Sequence, residues 1–272
     1  MFLDLSITGW LDGITSTAII ASALVFGLLS IIKGVKNNTR LLVIAGIQVM
    51  IIGSYYLGPF VDFMFYGIFS LHIIPELYPL LSYSQVFLGI TTVAILGGEL
   101  ITPNYKQAVV GAMSALGMML FALIYIWVWA MAYNVPYLEV LAGINPAFAA
   151  LGAYAPWNPF HITPGTYGFP AELIDATFSP WNPAMMLIWI MQFFVLIFMG
   201  GGFLIKAKQS TGNLRGKFII LAIAFILFFL SGITDSLISQ VIDARIGLPI
   251  SKTIARIVQC WFGLLIYLGL RP

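Results

Sequence analysis

Seven stretches of this chain stay apolar for about the 20 residues a helix needs to cross a bilayer, and turn-forming or charged residues separate them. The predicted spans run from about Ile14 to Ile32, Leu41 to Leu57, Ser82 to Ile101, Ala108 to Ala132, Pro183 to Ile205, Phe218 to Ile238 and Ile250 to Leu270. Each is read as helical because a helix satisfies its own backbone hydrogen bonds, which hydrocarbon cannot do. Lys33 closes the first span, Gly58-Pro59 the second and Pro103 the third. Residues 59–81, rich in Phe and Tyr and containing Pro75 and Pro79, are expected to form a connection with a short interfacial helix.

The interval between the fourth and fifth spans is different in kind. From Tyr133 to Trp181 it holds seven of the fourteen prolines, too many for one continuous helix. Pro156-Trp157-Asn158-Pro159 and Pro164-Gly165 mark turns. The segment also carries Tyr137, Phe148, Tyr154, Trp157, Phe160, Tyr167, Phe169 and Phe178. Such aromatic density predicts a structured cap, with short helices lying across one mouth of the bundle.

Composition agrees. The 272 residues are 61% hydrophobic and 8% charged, where a soluble domain carries about 25% charged residues. The mean hydropathy is +1.01. The expected fold class is an all-α membrane protein, a seven-transmembrane-helix bundle forming a single domain over residues 1–272. The first residues lack the basic stretch of a cleavable signal peptide. Cys260 is the one cysteine, so no intrachain disulfide is expected.

Charge sets the expected orientation. Lys33, Lys36, Arg40, Lys106, Lys206, Lys208, Arg215, Lys217 and Arg271 fall on one side of the predicted bundle, nine of the twelve basic residues. Arg245, Lys252 and Arg256 fall on the other, with nine of the ten acids; Glu99 is the exception. A plasma-membrane protein with its N terminus and cap outside and its C terminus inside is therefore expected. Trp10, Trp127, Trp129 and Trp181 lie near the predicted outer interface, as aromatic belts do. Asn37-Asn38-Thr39 fits a glycosylation sequon, but this orientation places it inside.

Ionisable residues in spans are costly and point to function first. Asp235, near the outer end of the sixth span, and Arg256, about two turns into the seventh, fall at similar depth; Asp62 lies at the outer level too. These three are the candidate ligand-binding set, with Arg256 available to an anion. The plainer account is a structural ion pair that sets helix register, because pairing alone explains both residues. Glu99 could form an ion site, or snorkel to the inner interface and meet Lys106 or the basic loop 206–217. Gln48, Gln192 and Gln259 lie deeper, where amides mostly bridge helices. Gly200-Gly201-Gly202, and Ala23 with Gly27, suit close helix packing; the triplet could also hinge. His72, Glu76 and His161 lack the spacing of a metal site, and no metal is expected.

No metalloprotease, nucleophile-elbow or phosphate-loop motif appears, so no catalytic residue is assigned. Seven helices invite comparison with retinal proteins, which need a lysine near the middle of the last helix. That position here is Gln259-Cys260-Trp261-Phe262, with Lys252 at the outer entrance, which argues against retinal; no cofactor is expected.

Three segments carry a resemblance: Leu57-Gly58-Pro59-Phe60-Val61-Asp62-Phe63, Gly97-Gly98-Glu99-Leu100-Ile101, and the run from Gly202 to Phe218, with Tyr267-Leu268-Gly269-Leu270 at the end. They resemble uncharacterised seven-helix membrane proteins of archaea, Asgard-type lineages in particular. The likeness covers the spans and not the long cap. The layout is also loosely similar to the seven-helix sensory region of archaeal histidine kinases, although only Arg271-Pro272 follows the seventh span and no output domain is expected. The resemblance implies an archaeal plasma membrane and assigns no activity.

The expected function is receptor-like or sensor-like: a small ligand or lipid bound in an outer pocket, with an inner-side protein partner reached through residues 206–217. The alternatives are a channel or transporter subunit, suggested by Glu99, the glutamines and the glycine triplet, and a structural subunit of a larger membrane complex. Membrane lipids are expected partners; nucleic acid is not.

Overall fold

The computed structural model describes residues 5–74, 77–132, 161–162, 173, 176–177, 183–238, 243 and 250–271. Its seven helices are long and apolar enough to cross a membrane: α1 Ile7–Lys36, α2 Arg40–Phe69, α3 Leu77–Leu100, α4 Pro103–Ile126, α5 Met186–Gln209, α6 Gly212–Ile233 and α7 Ile250–Leu270. The protein is thus a multi-pass, all-α membrane bundle. The one departure among the described residues is a two-residue antiparallel pairing of His161–Ile162 with Ala176–Thr177. Most of the expected cap, 133–181, lies outside the described residues.

α7 has the bounds read from the sequence, but several helices run further. α1 begins nearly two turns earlier than expected, at Ile7, where the Ser6 hydroxyl accepts from the Gly9 N–H at 3.0 Å and caps the start. At ~1.5 Å per residue, its 30 residues exceed a ~30 Å hydrocarbon core by several turns. Its two ends therefore reach the interfaces: Asp12 near one, Lys33 and Lys36 near the other.

The expected stop at Gly58-Pro59 does not occur. The second helix tightens to a 3-10 turn at Ser54–Tyr56 and continues over Leu57–Phe69. Pro59 falls in the first turn of this continuation, where a missing N–H costs least. The Gly58 N–H, left over by the change of winding, donates to the Ser82 hydroxyl at 3.1 Å. The third helix is interrupted at the matching height, between Tyr83 and Val86. Ser54 Oγ donates to Gln85 Oε1 at 2.6 Å, so the two irregularities are bonded to one another.

The core runs between all seven helices, with Leu42, Leu96, Leu120, Ile124, Met199, Phe203, Phe225 and Ile266 fully buried. Phe203, Phe225 and Phe262 form an aromatic column joining α5, α6 and α7. α1 and α2 approach most closely at small residues. A Cβ on Gly27 would lie 2.9 Å from the Gly46 carbonyl oxygen, and one on Gly53 would lie 2.2 Å from the Ala23 Cβ. The Ala23/Gly27 step is therefore a packing feature. The glycine triplet divides: Gly202 is packed under Ile101, whose Cδ1 is 2.7 Å from a Cβ there, and Gly201 faces open space. The triplet closes a π-helical stretch, Val195–Gly201.

Candidate functional site

The bundle has two ends of different composition: a cap face, carrying the starts of α1 and α7, and a basic face, carrying their ends. Asp12, Asp235 and Lys252 gather at the cap face, around Arg256.

The direction of α7 puts the guanidinium there. Side chains on a helix lean towards its N terminus, which for α7 is the cap face. Arg256 is 3% exposed, and its long stem carries the charge up from a backbone position deeper in the bundle. Lys252, one turn earlier on the same side of α7, and Gln259, one turn later, extend this polar stripe.

Four helices meet on it. From α1, Asp12 supplies Oδ1 to Arg256 Nη1 at 3.2 Å and Oδ2 to Lys252 Nζ at 2.9 Å. The same Nη1 also lies 3.2 Å from the Asp12 carbonyl, 3.3 Å from Thr15 Oγ1 and 3.2 Å from Ser16 Oγ, so its hydrogens are shared among several oxygens. From the π turn that follows α6, Thr234–Ile238, Asp235 Oδ1 accepts from Arg256 Nε at 3.1 Å. From α2, the Tyr56 hydroxyl donates to Asp235 Oδ2 at 2.9 Å and also contacts Gln259 Oε1. The Tyr56 ring lies under the guanidinium, 5.2 Å from ring centre to Cζ, a cation–π contact. Among the described residues, the charged side chains bonded within the network are two cations, Arg256 and Lys252, and two carboxylates, Asp12 and Asp235.

Neighbouring contacts brace this arrangement. Asp243 accepts from the backbone N–H groups of Ser251 and Lys252, at 2.9 and 3.1 Å, capping α7 where it begins. Gly13, next to Asp12, admits the Phe63 ring; a Cβ there would sit 2.1 Å from Phe63 Cδ2. Phe63, Leu5 and Leu173 form a small cluster, so at least this cap residue packs over α1 and α2.

The sequence-derived set divides. Asp235 and Arg256 come together as expected. Asp62, 0% exposed, lies within α2, and its carboxylate is bonded instead to the turn that follows the helix. It accepts from the Ile73 N–H at 2.9 Å and lies 3.1 Å from His72 Nδ1, where the chain reverses through left-handed Ser70. Asp12 and Lys252 belong to the network although the sequence reading left them out of it. Asp12 had been placed before the first span, and Lys252 at the entrance of the seventh. Glu76 lies outside the described residues, and among those described no three His, Cys, Asp or Glu residues are grouped to hold a metal.

Directly below the network is a small cavity, with room for about one water molecule. α1 contributes Ser22 and Ala23 to its wall, α2 Gly53 and Tyr56, and α7 Gln259 and Gly263. Gln48 is 0% exposed, and neither amide atom has a hydrogen-bond partner among the described residues; the same holds for the Gln192 carbonyl oxygen. Of the three glutamines, only Gln259 has a side-chain bond to another helix among the described residues.

At the opposite end, Glu99 is bonded by Lys106 across the α3–α4 turn, with both side chains partly exposed. This is the snorkelling arrangement and gives no sign of a buried ion site.

These features define a seven-helix membrane protein with a buried network of charged side chains at one face. Comparison of the chain with protein families, with curated proteins and with solved structures finds no match.

Proposed function

We propose that the chain is a receptor-like or sensor-like membrane protein whose cap-face event is read by the network around Arg256. One observation carries this: a single buried guanidinium on α7 is bonded to α1 and to the turn after α6, and lies over a ring of α2. Buried ion pairs are seldom the best way to stabilise a protein, since well-packed apolar residues do as well or better. They do create discrete states, because a displaced partner leaves a charge that must find another. A small anionic ligand or lipid headgroup competing for Arg256, or one drawing Asp12 away, would release α1 and the α6 end from α7. The ligand site would lie between the cap and the ends of α2, α6 and α7, with the cap outside the membrane. Output would pass through a protein partner docked on residues 206–217.

The test is a distance measurement between the basic ends of α1 and α6. Spin labels go on Lys36→Cys and Leu214→Cys in a Cys260→Ser background, in nanodiscs. Asp235→Asn and Arg256→Lys each weaken the network without removing a side chain. A shifted distance distribution in either folded variant, with none in Asp62→Asn, is the expected outcome. Unchanged distributions in both would leave only a structural brace.

A second reading, an ion- or proton-conducting subunit, is favoured by the cavity beneath the network and by the unpartnered amide of Gln48. Ser22, Tyr56 and Gln259 bring polar groups to the wall of that cavity. Proteoliposomes loaded with a pH-sensitive dye would show a flux that Gln259→Leu abolishes; no flux above empty vesicles removes this reading.

A further inference from the structure

The basic face has an excess of charge that its contacts do not neutralise. Among the described residues, the only ion pair there is Lys106 with Glu99. Two lysines from different helices turn towards the end of α7, and both take neutral acceptors. Lys33, from α1, contacts the Tyr267 hydroxyl and lies 4.8 Å from the centre of that ring. Lys217, from α6, donates to the Arg271 carbonyl oxygen at 2.7 Å. With the side chain of Arg271 itself, three cations surround the last turn of one helix. A helix C terminus carries about half a negative charge, which can attract such cations but cannot balance three. Tyr267 supplies the aromatic hydroxyl common at headgroup depth. Immediately towards the bilayer centre, the apolar surface of α1 is open: Leu29, one turn before Lys33 on the same face, is 40% exposed, and Ile32 beside it is 61% exposed.

We infer that the corner formed by the ends of α1, α6 and α7 is a binding site for the headgroup of an anionic phospholipid. Its phosphate is held by Lys33, Lys217 and Arg271, and its acyl chains lie along Leu29 and Ile32. The occupant is a lipid because the cations border a hydrocarbon-facing surface, where a soluble anion would have no counterpart for the exposed Leu29 and Ile32. The site is separate from the Arg256 network and does not depend on the sensor reading.

The experiment uses the full chain in nanodiscs of equal phosphatidylglycerol and phosphatidylcholine, with native mass spectrometry of the protein released from them. The wild type is expected to carry phosphatidylglycerol in excess. The excess should fall by roughly fivefold for each cation removed in Lys33→Gln and Lys217→Gln, and should persist in the double variant Lys206→Gln/Lys208→Gln. Helix content and elution volume are checked for each variant. A second measurement needs no variant: raising the salt should erase the wild-type preference. The inference is overturned if the wild type carries both lipids equally, or if Lys33→Gln and Lys217→Gln keep the full preference. It is overturned too if inorganic phosphate protects the detergent-solubilised protein from heat as well as phosphatidylglycerol does.

Discussion

Each face of the bundle has a carboxylate bonded to a cation, yet the two arrangements are different devices. Glu99 and Lys106 are joined across a tight turn, seven residues apart, with side chains 20% and 32% exposed. Among the described residues, Arg256 is bonded or stacked by side chains of the first helix, the second helix and the turn after the sixth, 21 or more residues away, around a guanidinium almost without solvent. Water can solvate either member of the first pair alone, so the pair contributes little beyond local order. Nothing solvates Arg256 if its partners leave. The same chemistry therefore trims a turn at one face and couples distant helices at the other, and burial decides which.

Removing the guanidinium should show the difference most strongly. Arg256→Leu leaves Asp12 and Asp235 in a buried site, at an expected cost of about 3–5 kcal/mol. Thermal unfolding in detergent measures it. Adding Asp12→Leu, Asp235→Leu and Lys252→Met to the same chain should recover most of the loss, since apolar replacement of a whole buried ion set is often neutral. If Arg256→Leu unfolds no more easily than a Glu99 variant, the contrast between the faces is wrong.

The second prediction concerns the brace beside Asp12. Gly13→Val would drive a side chain into the Phe63 ring, already within 2.1 Å of an added Cβ. Overpacking of this kind costs about 1–3 kcal/mol. Phe63→Ala in the same chain should relieve part of it. Full additivity of the two losses would show that the ring and the glycine do not share the space.

Two buried polar groups of α2 should respond with opposite signs. Tyr56→Phe removes a hydroxyl bonded to Asp235, and should destabilise by ~0.5–1.5 kcal/mol. Gln48→Leu removes an amide with no partner, and should stabilise by about 1 kcal/mol. A loss of stability in Gln48→Leu would mean that the amide is in contact with solvent, which favours the conducting reading.

How far the sequence foretold this site follows from what each signal measures. Hydropathy counts apolar residues, so the number and rough place of the seven helices were legible. It reads charges as boundaries, and so excluded the cap-face turns of α1 that bear Asp12. The Asp235–Arg256 pair was legible because one short connection puts both residues at one height. Asp12 and Arg256 are 244 residues apart, and only the packing of α1 against α7 brings them together. Depth alone could not separate Asp62 from this set, since its partners, His72 and the Ile73 N–H, depend on the left-handed turn at Ser70. Pro59 misled because proline ends a helix in general and is harmless in a first turn; the 3-10 rewinding before it has no signature in composition. Glu99 was legible because its partner lies close along the chain.

That last pair supplies the smallest effect, and the sharpest control. Glu99→Gln keeps the shape of the side chain and removes its charge. Lys106 then loses its only ion-pair partner among the described residues, but at 32% side-chain exposure it can turn to water or to a lipid phosphate. An exposed pair of this kind is worth about 0–1 kcal/mol, and salt should reduce even that. The variant should therefore melt close to the wild type at low ionic strength and with it at high. A loss of several kcal/mol would show that Glu99 is held as tightly as Asp12. Both faces would then carry coupled charges, and the basic face would need a functional reading of its own.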